Sequence, residues 1–126
     1  MSYRLHHIHL ICRDLEKMIA FFKDDIGANL VKLRKFGTAD GATLNLGGID
    51  INLRVARGGE EIRENLVQST YGYDHIGLQV EDLQSAYTDL TQRGYQFFVP
   101  PTEAAGLMMA FFKGPENITI ELVQAL

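Results

Sequence analysis

The chain has 126 residues, of which 46% are hydrophobic and 22% charged, with a net charge of −4. That length fits one compact domain, and the composition excludes disordered and fibrous classes. The acidic balance argues against a nucleic-acid binder that works by bulk electrostatics, and no apolar run approaches the roughly 20 residues that span a bilayer. The N-terminal segment Met1-Ser2-Tyr3-Arg4-Leu5 lacks the apolar core of a signal peptide. The single Cys12 cannot form an internal disulfide, which agrees with a reducing compartment. The expectation is a cytoplasmic protein, 1–126 as a single domain, with no nucleic-acid or membrane partner.

In chain order, the first element is a strand. Ile8, Leu10 and Cys12 alternate with His7, His9 and Ile11, the period-two signal of two unlike faces. A helix follows with Asp14 as N-cap. Leu15, Met18, Ile19, Phe22 and Ile26 recur at helical spacing, and Gly27 suits the left-handed stop. Strands are predicted over 29–35, 42–46 and 50–55, with Gly47-Gly48 as a hairpin turn. A Gly- and Glu-rich connector occupies 57–72, with room for a short helix over 60–66. The same order then recurs: a strand from His75, a helix from Asp82 to Gly94, and strands over 95–99, 108–112 and 118–123, with a turn at 114–117.

The recurrence is an internal repeat. His7, Asp14 and Leu15 map onto His75, Asp82 and Leu83 at an offset of 68. Gly27 maps onto Gly94 at 67, and Ile51-Asn52-Leu53 onto Ile120-Glu121-Leu122 at 69. The predicted fold is α+β: two tandem βαβββ modules (1–56 and 73–126) forming a curved mixed β-sheet cleft with the helices outside.

Strand alternation selects the side chains that share a face. If Ile8, Leu10, Ile76 and Leu78 pack beneath the helices, His7 and His75 project from the opposite face. Thr119, Glu121 and Val123 join them in the second module, and Asp50, Asn52 and Arg54 in the first. Sheets that curl toward each other would bring His7, Asn52, His75 and Glu121 to equivalent points of one cavity. Two neutral imidazoles and a carboxylate are a competent ligand set for a first-row divalent metal. His9 shares that face as a general acid/base or substrate anchor, although its counterpart is Gly77. Arg54 is placed either to bind an anionic substrate group or to act as a solubilising rim residue. His6 is expected on the other face as a solvated bystander. Phe21, Phe22 and Tyr87 read as core, and Glu60-Glu61 as solvated charges. The register of Met108–Phe112 stays open. Residues around 36–41 and 100–106 are expected to form specificity loops.

The sequence resembles the vicinal oxygen chelate superfamily, which includes glyoxalase I, methylmalonyl-CoA epimerase, extradiol dioxygenases and the bleomycin- and fosfomycin-resistance proteins. The resemblance rests on His7-Ile8-His9-Leu10, Asp14-Leu15-Glu16-Lys17 and Phe21-Phe22, on His75-Ile76-Gly77-Leu78 and Asp82-Leu83, and on Gly114-Pro115 with Ile120-Glu121-Leu122. It implies His7, His75 and Glu121 as metal ligands. The fourth ligand place, usually Glu or Gln in glyoxalases and epimerases, falls on Asn52, one methylene shorter and uncharged. The implied cofactor is a divalent ion (Zn, Ni, Co, Mn or Fe(II)), the implied partner a small-molecule substrate, and the implied assembly a homodimer. The leading expectation is a glyoxalase- or epimerase-like lyase or isomerase. It would act through a metal-stabilised enediolate or enolate, with Glu121 or His9 as base and Arg54 and Asn52 near the substrate. The alternatives are an Fe(II) extradiol-type dioxygenase using two His and one carboxylate, and a non-catalytic antibiotic-binding resistance protein.

Overall fold

The computed structural model describes residues 2–64 and 70–126. The chain forms two compact units, 1–64 and 65–126, and each repeats the same plan.

The first unit opens with β1 (His7–Ile11), then α1 (Leu15–Ala20), which widens into a π-helical segment (Phe21–Ile26). The Asp14 side chain accepts the Lys17 N–H at the helix start, and Gly27 closes the end at a φ of 95°. Strands β2 (Asn29–Phe36), β3 (Ala39–Leu46) and β4 (Ile49–Arg54) complete a sheet of order β1-β4-β3-β2. β1 runs parallel to β4 and the other neighbours are antiparallel, so the sheet is mixed. Its core joins Met18, Phe21 and Phe22 of the helical segment to Leu44, Ile51 and Leu53 of the sheet. Phe21 is as deeply buried as Phe22, because the wider π turn directs both of these adjacent rings inward.

The second unit repeats the order: β5 (Ile76–Gln79), α2 (Leu83–Gln92), β6 (Phe97–Ala104), β7 (Leu107–Lys113) and β8 (Thr119–Ala125), sheet order β5-β8-β7-β6. Asp82 caps α2 by accepting the Ser85 N–H, the counterpart of Asp14 in the first unit. Leu83 and Leu90 of α2 are buried, as are Phe112, Ile120 and Leu122 of the sheet, and Tyr87 meets Phe97 at 4.7 Å between rings.

Three expectations need correction. The helix expected over 60–66 is absent at 60–64, which is irregular, and its last two residues lie outside the described part. The loop expected at 36–41 is a two-residue turn at 37–38, because β2 and β3 pair out to Phe36 and Ala39. The loop expected at 100–106 is mostly strand: β6 runs to Ala104 and turns at 105–106. Pro100 and Pro101 are tolerated there because β6 is an edge strand and the ladder register shifts between Val99 and Thr102, where two prolines without N–H groups fall. Among the described residues, no helix is long and apolar enough to cross a membrane.

Candidate functional site

In the second unit, His75 stands immediately before β5 rather than within it. Its Nε2 lies 3.0 Å from Glu121 Oε1 on β8, and its Nδ1 lies 2.8 Å from Asp74 Oδ2. Both contacts are hydrogen bonds only when the imidazole carries two protons. The His75 pKa is accordingly raised, mainly by the hydrogen bond to Asp74 and less by Glu121, against an opposing effect of burial. Phe111, opposite Glu121 in the β7–β8 ladder, sets its ring 5.2 Å from the His75 ring. Gly77 is the β5 partner of Glu121, so no side chain crowds the carboxylate from that strand. Phe98 extends the aromatic surface beside Phe111, and Lys113 lies over its ring while donating to the Thr119 hydroxyl. The register left open by the sequence is thus resolved: Phe112 faces the helix-packed core and Phe111 the histidine.

In the first unit the equivalent row reads His9, Asn52, Thr43 across β1, β4 and β3. The buried Thr43 hydroxyl donates to Asn52 Oδ1 at 2.7 Å, which leaves the amide Nδ2 as the donor on that face. His7 holds its Nδ1 2.9 Å from the Nδ1 of His6. His6 therefore turns toward His7 instead of standing apart; it precedes β1, so strand alternation does not govern it. His9 rests against the Phe36 ring at 4.6 Å, and the Arg34 guanidinium lies 4.7 Å from the same ring. The His9 pKa is lowered, first by burial and then by Arg54, His7, Arg57 and Arg34.

Arg54 is neither a rim residue nor an open anion receptor. It is 8% exposed, and its Nη1 and Nη2 donate to Glu60 Oε1 and Oε2 at 2.7 and 2.8 Å. An anionic substrate group has to displace Glu60 to reach it. Glu60, read from sequence as a solvated charge, also accepts the Arg57 N–H, and its pKa falls to about 2, chiefly through Arg54. This fork ties the connector to the end of β4.

The donor chemistry of the second unit fits a divalent metal. Two ligand atoms about 2.1 Å from one ion and at right angles to each other stand about 3.0 Å apart, the spacing of His75 Nε2 and Glu121 Oε1. Among the described residues, no three His, Cys, Asp or Glu side chains converge as a metal-holding group. In the first unit, His7 occupies the matching repeat position.

Sequence reasoning missed Asp74, Thr43, Phe36 and the functional half of Glu60. Only Asp74 carried a usable signal, as the residue before a repeat-matched histidine. Thr43 and Phe36 reach the site through pairings between strands.

A model of the Glyoxalase/Bleomycin resistance protein/Dioxygenase superfamily matches residues 4–122. No curated protein matches the chain. Among solved structures, a glyoxalase family protein from Bacillus cereus is similar at a TM-score of 0.84 and 21% identity, over 100% of this chain and 96% of that one. A glyoxylase/bleomycin resistance protein/dioxygenase domain from Frankia sp. is similar at 0.79 and 24% identity, over 100% and 99%. The fosfomycin resistance protein FosX from Listeria monocytogenes, solved with Mn(II) and sulfate, is similar at 0.75 and 20% identity, over 100% and 95%.

Proposed function

The chain belongs to the Glyoxalase/Bleomycin resistance protein/Dioxygenase superfamily, and from that premise we propose that it is a metal-dependent enzyme of the lyase or isomerase type acting on a small oxygen-bearing substrate. The observation that supports this most is the 3.0 Å pairing of His75 Nε2 with Glu121 Oε1, two donors spaced for one divalent ion. His75 and Glu121 would hold the metal, and His7, the repeat-matched imidazole of the first unit, is a further candidate ligand. The Mn(II) in the FosX relative is consistent with a divalent ion. A cytoplasmic homodimer is part of the same reading.

Once bound, the ion supplies Lewis acidity to substrate oxygens, which acidifies the neighbouring C–H. His9 is the proton acceptor in this reading. Burial and three arginines hold its pKa below the ordinary histidine value, so at neutral pH the ring is uncharged and carries a free lone pair. Phe36 orients that ring by packing against it at a tilt of 57°. Glu121 is the second candidate base, its carboxylate facing His75. Asn52, with its oxygen engaged by Thr43, presents Nδ2 to a substrate oxygen.

A second reading, an Fe(II) dioxygenase with two His and one carboxylate, is favoured by one observation: the engagement of Asn52 Oδ1 by Thr43, which argues against a fourth protein ligand. Elemental analysis of freshly purified protein and of a His75→Ala variant tests both readings. Stoichiometric Zn, Ni, Co or Mn that is lost with His75 supports the lead. Iron, with oxygen uptake on addition of a catechol after anaerobic Fe(II) loading, supports the second. Protein that retains no metal and takes up none of these ions on reconstitution refutes both and favours a metal-free binder.

A further inference from the structure

We propose that Asp74 is a positioning residue for His75, and that His6 fills the same place for His7. The inference rests on the metal reading above and adds the residues that aim its imidazoles. In both units the side chain immediately before the repeat-matched histidine meets that histidine at the same atom. Asp74 Oδ2 lies 2.8 Å from His75 Nδ1, and His6 Nδ1 lies 2.9 Å from His7 Nδ1. The two pairs are related by the repeat offset of 68 that relates the histidines themselves.

Such a contact between neighbours is unusual in a strand, where adjacent side chains point to opposite faces. It is possible here because both preceding residues sit outside the regular strand. His6 precedes β1, which begins at His7, and Asp74 lies two residues before β5, which begins at Ile76. The chain enters each sheet with one side chain folded back onto the next. The chemical consequence holds where the preceding residue is the acceptor, as the Asp74 carboxylate is, and as the His6 ring is when its own proton sits on Nε2. A hydrogen bond accepted from Nδ1–H selects one tautomer of the neutral ring and leaves the Nε2 lone pair on the far side. For His75 that side faces Glu121 Oε1 at 3.0 Å, a carboxylate that competes with Asp74 for the proton of the metal-free ring and can share a cation with the Nε2 lone pair. Ring rotation about its last torsion is restrained at the same time, so less order remains to be imposed when a metal arrives.

The two acceptors are not equal. Asp74 is a carboxylate and makes a charge-assisted bond, whereas His6 offers a neutral imidazole nitrogen. Removal of Asp74 therefore has the larger effect. Asp74 is largely exposed, at 65% for its side chain, so its replacement leaves the core intact.

The test uses the full-length protein in its wild-type, Asp74→Asn, Asp74→Ala and His6→Ala forms. Co(II) affinity is measured from its visible absorption, and the His75 and His7 tautomers in metal-free protein from 15N shifts at a pH above their titration. Asp74→Ala is expected to weaken Co(II) binding about 10-fold or more, the range found when outer partners of metal-bound histidines are removed. Asp74→Asn still offers an oxygen to Nδ1–H and is expected to retain both the affinity, within about threefold, and the Nδ1–H tautomer. His6→Ala is expected to weaken binding by less than Asp74→Ala. Unchanged Co(II) affinity in Asp74→Ala, with His75 still protonated on Nδ1, overturns the inference for Asp74; unchanged affinity in His6→Ala overturns it for His6. Wild-type protein that binds no Co(II) overturns the metal reading alone. The tautomers of His75 in Asp74→Ala and of His7 in His6→Ala then decide the two positioning roles by themselves: a shift toward Nε2–H sustains each, and no shift ends it.

Discussion

Replacing Gly41 with alanine tests how the first sheet holds Phe36 against His9. Gly41 lies on β3 between Arg34 of β2 and Arg54 of β4. A Cβ built there would overlap the Leu53 carbonyl oxygen and stand 2.6 and 2.8 Å from two carbons of the Phe36 ring. Carbon atoms pack at about 3.5–4.0 Å, so the ring would have to retreat by about 1 Å. The Leu53 carbonyl belongs to β4, an inner strand of the sheet, and has no such freedom. Overpacking of this kind costs about 1–3 kcal/mol, against about 0.5–1 kcal/mol gained by removing a glycine from a strand. The expected net loss is about 1–2 kcal/mol, with a fall in Tm of about 4 °C per kcal/mol for a chain of 126 residues. Gly77→Ala is the internal control, because its Cβ would meet only Glu121 Oε1 at an ordinary 3.5 Å. That variant is expected to match the wild type or gain up to about 1 kcal/mol. Urea denaturation followed by far-UV circular dichroism gives both numbers in a chain without tryptophan. Equal stability of Gly41→Ala and Gly77→Ala would refute the close approach of Phe36 to the β3 backbone.

Two further outcomes are expected. Glu60 has a folded pKa of about 2 against an ordinary 4.5, so its contribution to stability is complete above about 4.5 and fades as pH falls toward 2. Wild type should therefore exceed Glu60→Gln in urea stability at pH 6, with the two curves converging near pH 2; a gap independent of pH counts against the Arg54 fork. In a histidine titration by NMR of metal-free protein, His75 should titrate above 6.5 and His9 below it. The raised His75 value means that its contribution to stability is present below about 6.5 and is lost as pH rises through the folded pKa. The opposite order of the two histidines would contradict the arrangement of Asp74 and Glu121 around one and of the arginines around the other.

Much of the architecture was legible because periodic patterns carry it. Asp14 and Asp82 announce their helices, and Gly27 and Gly94 end them. His7 and His75 mark corresponding positions, and the alternation of β8 places Glu121 on the face opposite Ile120 and Leu122. Local rules of this kind depend on backbone geometry that every strand and helix shares. Arg54 shows where they stop. Alternation puts Arg54 two residues from Asn52 on β4, but its partner Glu60 sits in an irregular connector that no period describes. His6 shows the same limit from the other side: alternation was applied one residue beyond the strand to which it belongs.

By itself, then, the sequence determined the duplication, the βαβββ order of each module, the helix caps at Asp14 and Asp82, and the face on which His9, Asn52 and Glu121 lie. These follow from spacing along one chain. Tertiary structure alone decided what each of those side chains touches. Register between strands sets Thr43 on Asn52 and Phe111 beside His75, and a backbone without a Cβ at Gly41 lets Phe36 lie against His9. The folded-back residue before each histidine governs its Nδ1. Hydrogen bonds are sensitive to tenths of an ångström and to angle, whereas a hydrophobic pattern tolerates both, so the outline of the fold is encoded more openly than the chemistry of its site.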